Sequence, residues 1–284
     1  MLGFYIHVPS ATASALLRFL LPPRLPRKMD AYVSAVTAAL APWREKLRGR
    51  EIATVYFGGG TPSLLGARRL GTILQAVRQG FSLASGAEVT LEANPTSVDR
   101  AFFRRSARRV STGFPWACSP PMRRSCAFWA GPTLPSRPPR RWKRPGRGLF
   151  QHLPGLMLGL PGGAREKLGR SIGFAAALGV EHISSYILKV EPARPLPGRG
   201  WKSPTMTAPR SSTFRRGGAG KAGYGQYEIS NFAKPGRESR HNLLYWRGEE
   251  YLASGRGRHP SLGAGGLLTP GLWSFSREFP RGRS

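Results

Sequence analysis

The feature that most constrains this chain is the run Ile52-Ala53-Thr54-Val55-Tyr56-Phe57, delivered straight into Gly58-Gly59-Gly60. An uncharged stretch dominated by β-branched and aromatic side chains predicts a buried strand. The glycines behind it predict either a tight strand-to-helix turn or a loop whose backbone can approach a ligand, since glycine tolerates positive φ without a steric penalty. A strand of this kind needs neighbours, and the chain supplies them. Residues 29–49 place Tyr32, Val36 and Leu40 on one side of a predicted helix, and residues 64–79 return to a helical period. A second strand, Glu88 to Pro95, closes on an Asn-Pro turn. Further on, Leu156 to Gly162, a helix near 165–179 and a strand from His182 to Leu188 repeat the alternation. Strand and helix in turn predict an α/β fold with a parallel sheet and crossover helices.

Two stretches interrupt this order. Residues 111–150 hold eight prolines and no sustained period, and residues 193–220 are again rich in Pro, Arg and Gly. A forty-residue insert of that kind inside a compact domain argues against a simple reading. Residues 223–252 recover, and the chain after Ala253 decays into Gly, Arg and Pro. The formal charge of +30 follows the same boundaries: the only aspartates are Asp30 and Asp99, and no acid stands between Asp99 and Glu166. Nucleic-acid binders gather bases on one face and keep acids elsewhere. Here the bases track Pro, Gly and Trp. Arg123, Arg124, Arg140, Arg141, Lys143 and Arg144 among Phe128, Trp129 and Trp142 could pair phosphates and stack bases, but no nucleic-acid-binding fold accompanies them, so no specific nucleic acid is expected. Cys118 and Cys126 make no disulfide framework. Met1-Leu2-Gly3 runs into a strand without a charged leader, and no apolar run reaches the length of a membrane span. The expectation is a cytoplasmic protein without an integral membrane segment.

The ordered blocks, in sequence, are Tyr5-Ile6-His7-Val8-Pro9, Gly58-Gly59-Gly60-Thr61-Pro62-Ser63, Leu91-Glu92-Ala93-Asn94-Pro95 and Met157-Leu158-Gly159-Leu160-Pro161-Gly162. Tyr227-Glu228-Ile229-Ser230-Asn231-Phe232-Ala233 and Arg240-His241-Asn242-Leu243-Leu244-Tyr245-Trp246 follow. One Gly-Gly-Gly or Leu-Pro-Gly alone carries little weight. Together the blocks resemble the radical S-adenosylmethionine family, in the group containing oxygen-independent coproporphyrinogen III oxidase and the heme chaperone. The last two blocks point to the chaperone branch. The resemblance implies a partial (β/α)6 TIM-like barrel over residues 1–190, with S-adenosylmethionine at the C-terminal ends of its strands, and a truncated C-terminal accessory region over 191–284.

The resemblance also implies that Phe-Cys-x-x-x-Cys-x-x-Cys should follow Pro9. Three thiolates would there hold a [4Fe–4S] cluster and leave one iron open for S-adenosylmethionine. The cysteines belong at positions 11, 15 and 18, where this chain has Ala11, Ala15 and Arg18. None of these ligates iron. The codon TGC read one base late begins GC, which encodes alanine whatever follows. TAC TGC read two bases late gives Leu-Arg, matching Leu17-Arg18. The segment Thr112 to Ser119 can be written ACC GGC TTT CCC TGG GCG TGC AGT. Behind an A and read one base earlier, it becomes Asn-Arg-Leu-Ser-Leu-Gly-Val-Gln, the strand that the family carries here. Residues 10–28 and 110–154 therefore read as out-of-frame segments, arising in the gene or in its sequencing, and GC-rich codons read out of frame yield the excess of Arg, Pro, Ala and Gly.

Each candidate residue has a second reading. Gly59, Gly60 and Thr61 form either a turn or the loop that approaches the methionyl part of S-adenosylmethionine. Glu92 ends a strand, as a solvated carboxylate or as a hydrogen-bond acceptor for the cosubstrate's ribose hydroxyls. Tyr5 is either a core aromatic or a neighbour of the cofactor, and His7 is structural. His241, with Asn242, Tyr245 and Trp246, is either an axial heme ligand or a packed histidine. Ser239 stands where relatives usually carry a cysteine, and Gly155 where an aspartate is expected. No catalytic residue and no metal ligand is assigned. The implied cofactors are S-adenosylmethionine and a cluster that this chain cannot ligate, with heme as a further ligand. The implied partners are heme or porphyrin and heme-acceptor proteins. A nucleic-acid binder and a cluster-less heme-binding pseudoenzyme are the alternative readings.

Overall fold

In the computed structural model the described residues are 2–9, 24–93, 102, 124–129, 150–158, 165–177, 179–187, 218–255 and 262. The expectations for Ala11, Ala15 and Arg18, for residues 112–119 and 193–217, and for the chain after 255 apart from residue 262 lie outside them. The chain divides into two compact units, Met1–Arg124 with Arg240–Ser284, and Ser125–Ser239.

The first unit opens with β1 (Leu2–Val8), followed by helices α1 (Arg24–Ala39) and α2 (Ala41–Lys46). Pro42 falls in the first turn of α2, where the missing N–H costs nothing, and marks the break from α1. Next come β2 (Glu51–Gly59), a 3₁₀ turn at Pro62–Leu65, α3 (Gly66–Gly80) and β3 (Ser82–Ala93). Strands β1, β2 and β3 pair in parallel, as the alternation predicted. The predicted second strand begins earlier than expected, at Ser82, because Ser82 and Leu83 already pair with Glu51 and Ile52.

Register decides what each face carries. Gly3 pairs with Thr54, Tyr5 with Tyr56 and His7 with Gly58, while Thr54 pairs with Glu88 and Tyr56 with Thr90. Residues in register share a face, so one side of the sheet is polar and aromatic. The alternate residues Phe4, Ile6, Val55 and Phe57 point the other way and are buried. There Phe4 meets Phe81 edge-on at 5.5 Å, and α3, with buried Ile73, Leu74 and Val77, packs on α1 and β3. Burying each such side chain contributes roughly 1.5–3 kcal/mol.

The second unit holds β4 (Arg124–Trp129, whose first residue still belongs to the first unit), β5 (Phe150–Leu158), α4 (Arg165–Ala177), β6 (His182–Ile187), β7 (Gly225–Gln226) and β8 (Asn231–Ala233). Strand β4 lies beside β5, so residues 124–129 of the stretch without a sustained period form regular structure. Hydrogen-bond pairing along a neighbouring strand sets an extended backbone that side-chain period does not announce. β5 and β6 are parallel, and β8 turns antiparallel to both β6 and β7. Ile172, Ala175, Val180, Ile183, Ala219, Tyr224 and Phe232 form the core of this unit. The chain then returns to the first unit with α5 (Arg240–Trp246), packed on β2, and β9 (Tyr251–Ser254), parallel to β1. Among the described residues no helix is long and apolar enough to cross a membrane.

Candidate functional site

The glycine loop is fixed by close approach. Gly59 turns at φ +112°, and a Cβ there would lie 2.5 Å from the Val8 carbonyl oxygen and 2.6 Å from the His7 ring. Only glycine fits, because both the dihedral and the space exclude a side chain. The Gly60 N–H donates to the Val8 carbonyl at 2.8 Å, tying the loop to the end of β1. A Cβ on Gly58 would meet the Tyr5 and Tyr56 rings at 2.8 Å. Thr61 stands at the entry of the 3₁₀ turn without a side-chain capping bond.

Glu92 is the carboxylate of this site. Its Oε2 accepts the Gly59 N–H at 3.1 Å and its Oε1 accepts the Tyr56 hydroxyl at 3.0 Å. Gly59 and Glu92 thus come together at the C-terminal ends of two adjacent parallel strands, with Gly60 and Thr61 following in the loop, while Tyr5 lies mid-strand on β1 in register with Tyr56. In open α/β sheets ligands bind at that end of the strands. On β1, Tyr5 Oη and His7 Nδ1 are hydrogen-bonded at 3.0 Å. The Tyr32 hydroxyl donates to the His7 carbonyl at 2.8 Å, and burial pushes its pKa up.

Behind the carboxylate lies a cluster of rings in which Tyr5, Tyr56 and His241 each meet the other two. Tyr5 stacks on Tyr56 with centroids 6.0 Å apart, Tyr56 on His241 at 5.0 Å, and Tyr245 meets His241 edge-on at 5.2 Å. His241 is 1% exposed. Its Nδ1 is hydrogen-bonded to Thr54 Oγ1 at 2.7 Å and its Nε2 to Tyr245 Oη at 2.9 Å. Burial pushes its pKa down to about 3, so the ring is neutral. Tyr245 and Trp246 are exposed beside it.

Sequence reasoning passed over three residues here. Tyr56 reads as one more aromatic of a buried strand. Thr54, one turn of the pleat away, reads the same. Glu88 reads as a strand-opening carboxylate, yet it is 1% exposed and accepts from Arg240 N at 2.9 Å, His241 N at 3.2 Å and Thr90 Oγ1 at 3.2 Å. It satisfies the first amide donors of α5. The Arg240 guanidinium adds a bond to the Gly86 carbonyl at 2.7 Å. The alternation Thr54-x-Tyr56 and Glu88-x-Thr90-x-Glu92 was the available signal: polar or hydroxylated residues at period two mark a polar strand face.

With this geometry in view, known proteins can be compared. The chain is 36% identical over 255 residues to the heme chaperone HemW of Mycobacterium tuberculosis (strain ATCC 25618 / H37Rv), covering 82% of this chain and 62% of that protein. Over about four fifths of its length this chain is similar to heme chaperones named HemW. The heme chaperone HemW of Escherichia coli (strain K12) is 34% identical, over 83% of this chain and 64% of its own length. The mitochondrial radical S-adenosyl methionine domain-containing protein 1 of Bos taurus is 33% identical, over 76% of this chain and 51% of its own. The chain thus spans less than two thirds of the length of these relatives. Coproporphyrinogen III oxidase (HemN) from Escherichia coli, described as a radical SAM enzyme, has a similar fold, with a TM-score of 0.61 and 15% identity over 92% of this chain and 65% of that one. No family model matches the chain. The similarity to HemW chaperones and the HemN-like fold agree with the resemblance carried by the six sequence blocks.

Proposed function

We propose that this chain is a HemW-type protein of tetrapyrrole metabolism that keeps a cradle for S-adenosylmethionine and lacks the means to hold a cluster. The architecture proposed for residues 1–190 is a partial (β/α)6 barrel, with 191–284 as a shortened accessory region. The observation that carries the reading is Glu92, fixed by Gly59 N–H and Tyr56 Oη at the strand ends beside Tyr5. A carboxylate accepts charge-assisted hydrogen bonds from a vicinal ribose diol. Gly59, Gly60 and Thr61 offer backbone approach to the methionyl part.

The cluster does not fit the donor set. Ala11, Ala15 and Arg18 stand where three thiolates belong, and among the described residues no group of three His, Cys, Asp or Glu gathers around a common point. No radical step is therefore assigned to this chain. The proposed role that remains is the binding of heme or porphyrin and its delivery to acceptor proteins, in the cytoplasm. His241, buried and bonded on both ring nitrogens, is poorly placed as the iron ligand.

Calorimetric titration of S-adenosylmethionine into the purified chain tests the cradle, with binding expected and its loss expected in Glu92→Ala. Anaerobic reconstitution with iron and sulfide should leave the protein without stoichiometric acid-labile sulfide. A stoichiometric cluster overturns this reading. Resequencing codons 9–30 and 109–156 decides whether inserted bases restore Cys-x-x-x-Cys-x-x-Cys, in which case the natural protein carries the ligands that this chain lacks.

A further inference from the structure

We infer that Tyr56 is a positioning residue for the Glu92 carboxylate, and that His241 acts through Tyr56 as the wall behind it. The inference rests on the cosubstrate reading of Glu92 and extends it to two residues that touch no cosubstrate atom.

Glu92 is half-buried and ends a strand, so without restraint its carboxylate would sample several rotamers and point mainly to water. Two donors restrain it. Gly59 N–H holds Oε2 at 3.1 Å from the glycine loop, and Tyr56 Oη holds Oε1 at 3.0 Å from the neighbouring strand. Donors on two separate elements fix both the position and the plane of the carboxylate. A hydroxyl on a loosely packed ring would restrain nothing. The Tyr56 ring packs against both Tyr5 at 6.0 Å and His241 at 5.0 Å, tilted only 24° and 23° from them, and these two are 6.2 Å from each other, so the three rings form one triangular cluster. His241 in turn is locked by Thr54 at one nitrogen and Tyr245 at the other. The order of support runs from α5 through His241 and Tyr56 to the carboxylate. This gives the Arg240-His241-Asn242 block a part in the cosubstrate site that does not require His241 to meet iron.

The test is a double-mutant cycle read by calorimetric titration of S-adenosylmethionine into the full chain. Tyr56→Phe keeps the ring and removes the hydroxyl, and it should weaken binding about fivefold to tenfold, the loss expected of one well-aligned hydrogen bond. Glu92→Gln should weaken binding by about tenfold or more. The double variant should bind no more weakly than Glu92→Gln alone, because Tyr56 acts only through the carboxylate. Independent, additive losses overturn the inference while leaving the cradle in place. Unchanged affinity in Glu92→Gln overturns the cradle itself, and absence of binding by the unsubstituted chain overturns both. A second measurement does not depend on the folding of Tyr56→Phe. With tyrosines labelled at ¹³Cζ, the Tyr56 resonance should move on Glu92→Gln, and an unmoved resonance means that the hydroxyl does not hold the carboxylate.

Discussion

Two buried histidines, one in each unit, have the same environment by the crudest measure and opposite degrees of completion. His241 and His182 are each 1% exposed, and burial pushes the pKa of each down to about 3. His241 has a partner at both ring nitrogens, Thr54 and Tyr245. His182 has Tyr227 Oη at 2.7 Å from Nε2, while its Nδ1 is buried without a hydrogen-bond partner. A buried polar atom left unpaired forfeits its hydration without replacement, a cost of about 1–3 kcal/mol. The first histidine is therefore a structural member that its surroundings were built around. The second stands at the first residue of β6, an interior strand, with the Tyr227 ring edge-on at 5.5 Å. Burial alone does not tell a supporting residue from a tolerated one. The bonding of each polar atom does.

Acid exposes what the two share. A histidine whose folded pKa lies near 3 against an ordinary 6.5 takes up its proton only on unfolding between those values. The unfolded chain then binds more protons, so the contribution is complete above pH 6.5 and is lost as pH falls toward 3. Each histidine should add about 1.4 kcal/mol per pH unit to the slope of stability in that window. Urea unfolding at intervals from pH 7 to 4 measures it, and replacing either histidine by leucine should remove one proton's worth of slope. If the slope is the same in the leucine variants, the rings are protonated in the folded state.

At pH 7 the same two substitutions should part. His241→Leu leaves the buried Thr54 hydroxyl without its partner and takes away the ring against which Tyr56 stacks. It should cost about 2–3 kcal/mol. His182→Leu removes an atom that was already unsatisfied, and leaves the less buried Tyr227 hydroxyl to the Ser239 N–H and to water. It should cost under about 1 kcal/mol, since a buried imidazole is exchanged for an apolar side chain. Equal costs in denaturant titration would break the distinction.

Tyr245→Phe should have the smallest effect, about 0.5 kcal/mol, because the ring is 40% exposed and water can take the place of its hydroxyl. Thermal unfolding should show a shift well below that of His241→Leu. A shift as large would mean that the Tyr245 bond to Nε2, rather than the Thr54 bond to Nδ1, is what holds the ring.

The same contrast governs how much of the site could be read from the sequence. Gly59 announces itself within a run of three glycines, and Glu92 stands out as a carboxylate ending a strand pattern. Tyr56 does not, because an aromatic inside a β-branched run satisfies the strand pattern whether it faces core or site. Glu88 is hidden for a different reason: the amides that it accepts from, Arg240 and His241, lie 152 and 153 residues away. No local period encodes a partner at that distance. β4 was missed because its residues show no alternation, and pairing beside β5 makes it a strand.

By itself the sequence determined the α/β class, the parallel order of the early strands and the glycine loop, since these follow from side-chain period and from the φ that only glycine adopts. It also determined that positions 11, 15 and 18 carry no thiolate. The tertiary structure alone decided that Tyr56 rather than solvent meets Glu92, that Glu88 holds the start of α5, and that His241 is closed on both nitrogens while His182 is not. Those outcomes depend on strand register and on the return of α5 to the first unit. Register turns a residue's face, and the return brings distant donors to a buried acceptor; neither is a property of any one segment.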